Sequence, residues 1–116
     1  MAFPVDIRFR DMDPSPALEQ FARRWAAKLG RISDRIGSCE VVIERPHQSH
    51  HRGQDIHVRV SLDVPGPDIV VSHNHELDGA HEDAYIAVRD AFRAARRQLD
   101  QQVSAARDAE QEGARS

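Results

Sequence analysis

The sequence predicts an α+β domain with the element order βαβββα, and two features carry that prediction. Four segments alternate apolar and polar residues with the period of a half-buried strand. Two longer segments repeat apolar residues at steps of three and four, as amphipathic helices do. A chain of 116 residues has room for one hydrophobic core. We therefore expect a four-stranded mixed sheet with both helices packed on one face.

The first half of the chain supplies a strand, a helix and a second strand. Ser15 can cap the helix and Pro16 suits its first position, whereas Gly30 predicts that the helix loosens or ends nearby. The inward-facing residues of the first strand are Val5, Ile7 and Phe9. The apolar side of the helix consists of Leu18, Phe21, Trp25, Leu29, Ile32 and Ile36. The second strand turns Cys39, Val41 and Ile43 inward.

The second half predicts two more strands and a long helix. The third strand turns Ile56, Val58, Val60 and Leu62 inward, and a Pro65-Gly66-Pro67 turn follows. A short fourth strand is predicted at Ile69 and Val71, before a polar loop from His73 to Ala80. The second helix should begin near Glu82, with an apolar side formed by Tyr85, Val88, Phe92, Ala95 and Leu99. We predict a domain over residues 1–107 and a polar, frayed tail over 108–116, with Trp25 and Phe92 in the core.

Composition and motifs exclude several classes of protein. No apolar run approaches the roughly 20 residues of a membrane span, and the N-terminus lacks the features of a signal peptide. The single cysteine, Cys39, rules out an internal disulfide framework and predicts a cytoplasmic protein with a buried, unreactive thiol. Glu40 and Glu44 are better explained as ion-pair partners of strand arginines than as an acid–base pair. No nucleophile, phosphate-loop or dinucleotide motif is present, so we expect no enzyme and no cofactor.

Seven histidines raise the question of a metal site. They are His47, His50, His51, His57, His73, His75 and His81. Six of them lie in or beside two predicted polar loops, Pro46 to Gln54 and His73 to Ala80. Imidazoles bind zinc, copper or nickel, but the adjacent pair His50-His51 does not have the spacing of a preformed helical site. Solvated loop histidines are therefore our interpretation, without a tightly bound metal.

Basic residues form two rows on the predicted helices. Of the 16 basic residues, 15 are arginine, and the net charge is −3. The first row contains Arg24, Lys28, Arg31 and Arg35, with Arg23 beside it; the second contains Arg89, Arg93 and Arg96. If the helices lie side by side, the two rows would form a surface that meets phosphates without reading sequence. An ordinary solvated helix face explains the same pattern equally well.

Several segments in order resemble the hibernation promoting factor / ribosome-associated inhibitor family, also called ribosomal subunit interface or sigma-factor modulation proteins. In the second helix they are Asp83-Ala84-Tyr85-Ile86-Ala87-Val88 and Arg97-Gln98-Leu99. Upstream they are Lys28-Leu29, Asp34-Arg35-Ile36 and Val41-Val42. The stretch from Cys39 to His47, with Gly53, Val64-Pro65-Gly66, His81-Glu82-Asp83 and Ala91-Phe92, is similar to a subgroup sometimes joined to a cold-shock domain. The resemblance spans about residues 4–107.

The resemblance implies a βαβββα domain that binds the small ribosomal subunit and blocks the channel of messenger and transfer RNA. Basic helix residues would contact ribosomal RNA, and translation would stop in idle or stressed cells. Matched positions extend this role to Lys28, Arg35 and Arg97. We expect a short form without the C-terminal dimerisation domain of longer members. Two departures are the Asp100-Gln101-Gln102 sequence, where relatives carry a lysine-rich tail, and the near absence of lysine.

These observations lead to a first hypothesis and two alternatives. The first is a non-catalytic hibernation factor that binds the small subunit and its RNA, with no membrane and no small-molecule substrate. The second is an interaction module of the same fold that binds another RNA or a protein. The third is a metal-binding protein that uses the histidine loops. A homodimer through an exposed edge strand stays open.

Overall fold

The computed structural model describes residues 2–45, 55–76 and 82–115, which follow the order βαβββα. The strands are β1 (Val5–Arg10), β2 (Ser38–Glu44), β3 (Asp55–Asp63) and β4 (Ile69–Glu76). The helices are α1 (Pro16–Ile32) and α2 (Glu82–Arg115). The predicted α+β architecture, with two helices and a four-stranded mixed sheet, is confirmed.

The sheet has the strand order β1-β2-β3-β4, in which only β1 and β2 are parallel. A parallel pair needs a crossover connection, and α1 supplies it. One row of apolar side chains crosses all four strands, because Ile7 lies opposite Val41, Val41 opposite Val60, and Val60 opposite Val71. This row belongs to the face that the helices cover.

Helix α1 begins and ends with side-chain or backbone caps. The Leu18 N–H donates to Ser15 Oγ at 3.2 Å, and Pro16 occupies the first turn, as predicted. The helix continues past Gly30 to Ile32, and the Ser33 N–H donates to the Leu29 carbonyl at 3.2 Å. The burial of Leu29 outweighs the roughly 1 kcal/mol that glycine costs in a helix.

Strand β4 is longer than the sequence predicted. The segment from His73 to Glu76 continues the strand, with Glu76 opposite Asp55 of β3. The predicted loop was therefore wrong for these residues, while its remainder, 77–80, lies outside the described residues. Backbone pairing with β3 satisfies amide and carbonyl groups whatever the side chains are, so a polar sequence can still form a strand.

Helix α2 is also longer than predicted, since it reaches Arg115 rather than ending near Arg107. Its buried side is the predicted one, with Val88, Phe92, Ala95 and Leu99 in the core. The segment beyond Arg107 is rich in Ala, Glu, Gln and Arg, which all have high helix propensity. The backbone over 108–115 is therefore helical, where we expected a frayed tail.

The core lies between the sheet and the two helices. Phe92 is completely buried, as predicted, whereas Trp25 is only half-buried and packs against the edge of the core. Cys39 is buried to 2% exposure on the inward face of β2, as predicted. A helix long and apolar enough to cross a membrane does not occur among the described residues.

Candidate nucleic-acid interface

Two aromatic contacts place α1 beside α2. Phe21 packs edge-on against Tyr85, with ring centroids 5.0 Å apart and planes 78° apart. One turn further along α1, Trp25 stacks on Phe92, with centroids 6.1 Å apart and planes at 16°. Because the contacts advance along both helices together, α1 and α2 lie side by side and run in the same direction.

The basic rows flank this line of contact. On α2, Arg89 follows Tyr85 by four residues and Arg96 follows Phe92 by four, so each lies one turn beyond an aromatic contact residue. On α1, Lys28 follows Trp25 by three residues, and its Nζ lies 4.6 Å from the centroid of the indole ring. We call the six residues that border the contact from both sides the basic seam. They are Arg24, Lys28, Arg31, Arg89, Arg93 and Arg96.

Four of the six residues of the basic seam have no local counter-charge. Within the described residues, no carboxylate lies within ion-pair distance of Arg24, Lys28, Arg31 or Arg93. Arg89 pairs with the neighbouring Asp90 at 3.1 Å, and Arg96 lies 3.8 Å from Asp100. Exposed pairs of this kind are worth about 0–1 kcal/mol, so phosphate groups could replace these carboxylates at little cost.

Three predicted residues lie outside the seam. Arg23 is on the opposite flank of α1, where it contacts Glu19 at 3.1 Å and donates to the Val5 carbonyl of β1 at 3.0 Å. Arg97 is exposed one turn beyond Arg93, where it extends the α2 row. Arg35 follows the end of α1 and is exposed. Arg23 therefore secures the free edge of the sheet instead of joining the row beside it.

A cleft that sequence analysis missed lies at one end of the seam. It has a volume of about 470 Å³ and lies between the end of α1, the start of the β3–β4 turn and the second half of α2. Its lining comprises residues 30–35, Val64, Pro65, Leu99, Gln102 and Val103. We call it the end cleft. Three distant segments form it, and no local pattern in any of them indicates a cavity.

The open face of the sheet has internally paired charges. Arg8 contacts Asp6 at 2.8 Å and Glu40 at 4.0 Å, and the Asp6 hydrogen bond raises the pKa of Arg8. Arg10 lies 3.9 Å from Glu44. The prediction that Glu40 and Glu44 serve as ion-pair partners is confirmed for these two arginines. This face therefore offers less unpaired positive charge than the basic seam.

His57 and His73 each contact a polar side chain. The imidazole of His57 is hydrogen-bonded to the side chain of Asn74 across β3 and β4. His73 Nε2 lies 3.7 Å from Asp90 Oδ2. In the described part of the chain, no three His, Cys, Asp or Glu side chains are grouped in a way that suits a metal ion. His47, His50, His51 and His81 lie outside the described residues, as does the side chain of His75, so the absence of a tight metal site stays a prediction.

The thiol of Cys39 has the properties of a core residue. Burial, with a smaller contribution from the charge of Glu40, raises its pKa to about 12. Nucleophilic cysteines need a lowered pKa and access to solvent. The thiol therefore belongs to the packing of β2 and not to a reactive site.

Comparison with known proteins places this geometry in a family. The solved structures that share the fold include a ribosomal subunit interface protein from Coxiella burnetii and the N-terminal domain of Protein Y from Thermus thermophilus. The first is 18% identical, with a TM-score of 0.67, over 88% of this chain and 99% of the other. The second is 16% identical, with a TM-score of 0.64, over 85% and 98%. No curated protein sequence matches the chain.

The family model described as Sigma 54 modulation protein / S30EA ribosomal protein matches residues 5–106. That range starts with β1, contains both aromatic contacts and the whole basic seam, and ends within α2. On this match over nearly the full length, the chain belongs to the Sigma 54 modulation protein / S30EA ribosomal protein family.

Proposed function

We propose that this protein binds the small ribosomal subunit and inhibits translation by occupying the channel of messenger and transfer RNA. Family membership, together with the ribosomal subunit interface protein among the similar structures, supports an association with the ribosome. The proposed action requires no catalysis, because a folded domain in the channel excludes both RNAs by its volume. It would take place in the cytoplasm, in idle or stressed cells.

The observation that carries the proposal is the alignment of the two basic rows along the α1–α2 contact. Neutralising phosphates with arginine and lysine releases condensed counterions, which supplies sequence-independent affinity. The planar guanidinium can hold a phosphate at two points. The arginines without a carboxylate partner, Arg24, Arg31 and Arg93, need break no ion pair to bind RNA.

The overall charge of −3 does not oppose this proposal. Screening at physiological ionic strength confines the influence of an exposed charge to about 8 Å. The potential that RNA meets at the seam is therefore set mainly by the residues of the seam and its immediate neighbours. Acidic residues elsewhere on the chain contribute little at that distance.

Co-sedimentation with purified small subunits tests the proposal. The triple variant Arg89→Glu, Arg93→Glu and Arg96→Glu reverses the α2 row at residues outside the buried core, so the fold should persist. We expect it to lose co-sedimentation and to relieve inhibition of translation in vitro. The matched control reverses three charges on the open sheet face, with Arg8→Glu, Arg10→Glu and Arg59→Glu, and should have less effect.

Two results would contradict the proposal. If the control variant loses the subunits while the α2 variant retains them, the binding face is the open sheet and not the seam. If the wild-type protein neither sediments with ribosomes nor slows translation, the ribosomal function fails. An interaction module for another RNA or protein would then explain the same fold.

A further inference from the structure

We propose that the end cleft binds one unpaired nucleotide of RNA, with its base in the cleft and its phosphate at the arginines on the rim. This inference rests on the proposed function, because the cleft adjoins the seam through Arg31. Ligand pockets typically have volumes of about 300–1,000 Å³ and an apolar lining with a few polar groups. The cleft has a volume of about 470 Å³, which falls in that range.

The lining divides into an apolar part and a polar part. Leu99, Val64 and Val103 provide an apolar floor, of which the first two are buried and the third is half-buried. Arg31 and Arg35 line the cleft and are exposed, and within the described residues neither side chain has an ion-pair partner. A flat base would cover the apolar floor, and a guanidinium plane can stack on a base as an aromatic ring does.

The end of α1 favours a base over a simple anion. A helix leaves its last four carbonyls without helical partners, and here the Ser33 N–H satisfies only that of Leu29. The carbonyls of the next three residues carry the negative end of the helix dipole, and the Asp34 carboxylate lines the same cleft. These acceptors suit the amino and imino N–H groups of a base, while a phosphate belongs outside, with the arginines.

The ligand should be unpaired, because the base must expose the N–H groups that pairing occupies. Sequence-specific RNA recognition generally uses bases that are splayed out from loops, bulges or ends. The basic seam would hold the adjoining backbone phosphates without regard to sequence. The basic seam would then supply affinity that depends only on charge, and the end cleft would add affinity that depends on the base.

Binding of labelled tetranucleotides to the isolated chain, measured by fluorescence anisotropy at one salt concentration, tests this inference. A single-stranded RNA tetranucleotide is compared with an abasic one of equal phosphate count, so that the electrostatic contribution of the seam is the same for both. We expect the RNA with bases to bind roughly tenfold more tightly, because stacking of one base typically raises the affinity by about that factor. Equal affinities would overturn the proposal.

A pair of charge-neutral variants locates the site. Val103→Phe fills the cleft and should remove the preference for bases, while Val70→Phe makes the same change at a 49%-exposed position on β4 and should keep it. If Val103→Phe does not fold, Arg35→Gln replaces it, with Arg24→Gln as a control that removes the same charge outside the cleft. A cleft variant that keeps the wild-type preference would contradict the assignment.

Competition with free mononucleotides distinguishes an RNA ligand from a free nucleotide as the occupant of the end cleft. Mononucleotides should compete with the tetranucleotide only weakly, because they lack the neighbouring phosphates that contact the seam. If a mononucleotide binds more tightly than the tetranucleotide, the ligand is a free nucleotide and the RNA assignment is wrong. These measurements contain no ribosomes. If the chain prefers RNA with bases but does not sediment with ribosomes, the proposed function is wrong and the assignment of the end cleft stands.

Discussion

The indole of Trp25 stacks on the ring of Phe92 and connects the hydrophobic core with the basic seam. The ring centroids are 6.1 Å apart, and the planes are 16° from parallel. Phe92 is completely buried, whereas Trp25 is half-buried and has the Lys28 ammonium 4.6 Å from its ring centroid. The same aromatic pair that packs α1 against α2 therefore also orients a basic residue of the seam.

This relationship predicts different roles for Phe92 and Lys28. Phe92→Ala should lower the free energy of unfolding by about 3–5 kcal/mol, because it opens a cavity in the core. Lys28→Ala should lower it by less than about 1 kcal/mol, since a cation–π contact at an exposed site is worth about 0.5–1 kcal/mol. Urea unfolding followed by the fluorescence of the single tryptophan measures both. Similar losses in the two variants would contradict the separation of core from seam.

Local patterns were sufficient to predict most of the fold. The alternation in β1, β2 and β3, the Ser15-Pro16 start of α1 and the apolar side of α2 all depend on periodicity or on one local hydrogen bond. The length of β4 was predicted wrongly because its stability comes from outside the segment. His73 to Glu76 looked like a loop because its side chains are polar, yet β3 pairs with its backbone.

The candidate site was less predictable than the fold. Helical spacing identified both basic rows, but their relative position depends on the Phe21–Tyr85 and Trp25–Phe92 contacts, which join residues more than 60 positions apart. Arg23 was grouped with the α1 row by its position in the sequence, whereas its bond to Val5 places it on the other flank. The end cleft left no local signal, because three distant segments form it.

The raised pKa of Cys39 predicts a pH dependence of stability. An exposed thiol in the unfolded chain has a pKa of about 8.5, whereas burial raises the pKa of the folded thiol to about 12. Between these values the unfolded chain binds fewer protons, so stability falls as pH rises, at up to about 1.4 kcal/mol per pH unit. Below about pH 8 the contribution of the protonated Cys39 thiol to the free energy of unfolding is fully present.

Comparison with Cys39→Ala isolates this contribution, because the variant retains every other titrating group. From pH 8 to pH 10 the wild-type free energy of unfolding should fall by roughly 2 kcal/mol relative to that of the variant. Denaturant unfolding at a series of pH values measures the difference. Parallel pH profiles for the two proteins would show that the folded thiol ionises as readily as the unfolded one.

Removal of residues 108–116 should leave the folded domain intact. Among the α2 residues whose burial the structure describes, which end at Ala105, the last buried side chain is Leu99. Beyond it, the Gln102 amide donates to the Pro67 carbonyl at 3.1 Å. The deletion removes Asp108, Glu110 and Glu112 together with one arginine, Arg115. The truncated protein should therefore bind ribosomes as well as the full chain or slightly better.

Thermal unfolding and co-sedimentation of the truncated protein measure these two effects. We expect a melting temperature close to that of the full chain, since residues 108–116 include few apolar side chains that could be buried. A clear loss of thermal stability would indicate that the end of α2 packs against the domain. A loss of ribosome binding with stability unchanged would indicate that this segment contacts the partner.

The salt dependence of ribosome binding should report the number of phosphates that the seam contacts. Each neutralised phosphate contributes roughly 0.7–0.9 to the slope of log affinity against log salt concentration. Replacing Arg24, Lys28 and Arg31 with glutamine should therefore reduce that slope by about 2–3 and weaken binding at low salt. Glutamine keeps much of the aliphatic stem, and all three positions are exposed, so folding should be unaffected.

The matched control replaces Arg8, Arg10 and Arg59 with glutamine, which removes the same charge from the open sheet face. Two of these arginines already pair with carboxylates, so the slope should change by less than about 1. Affinities for small subunits measured at several salt concentrations give both slopes. An equal decrease in the two variants would mean that ribosomal RNA responds to net charge alone, and the juxtaposition of α1 and α2 would then have no part in binding.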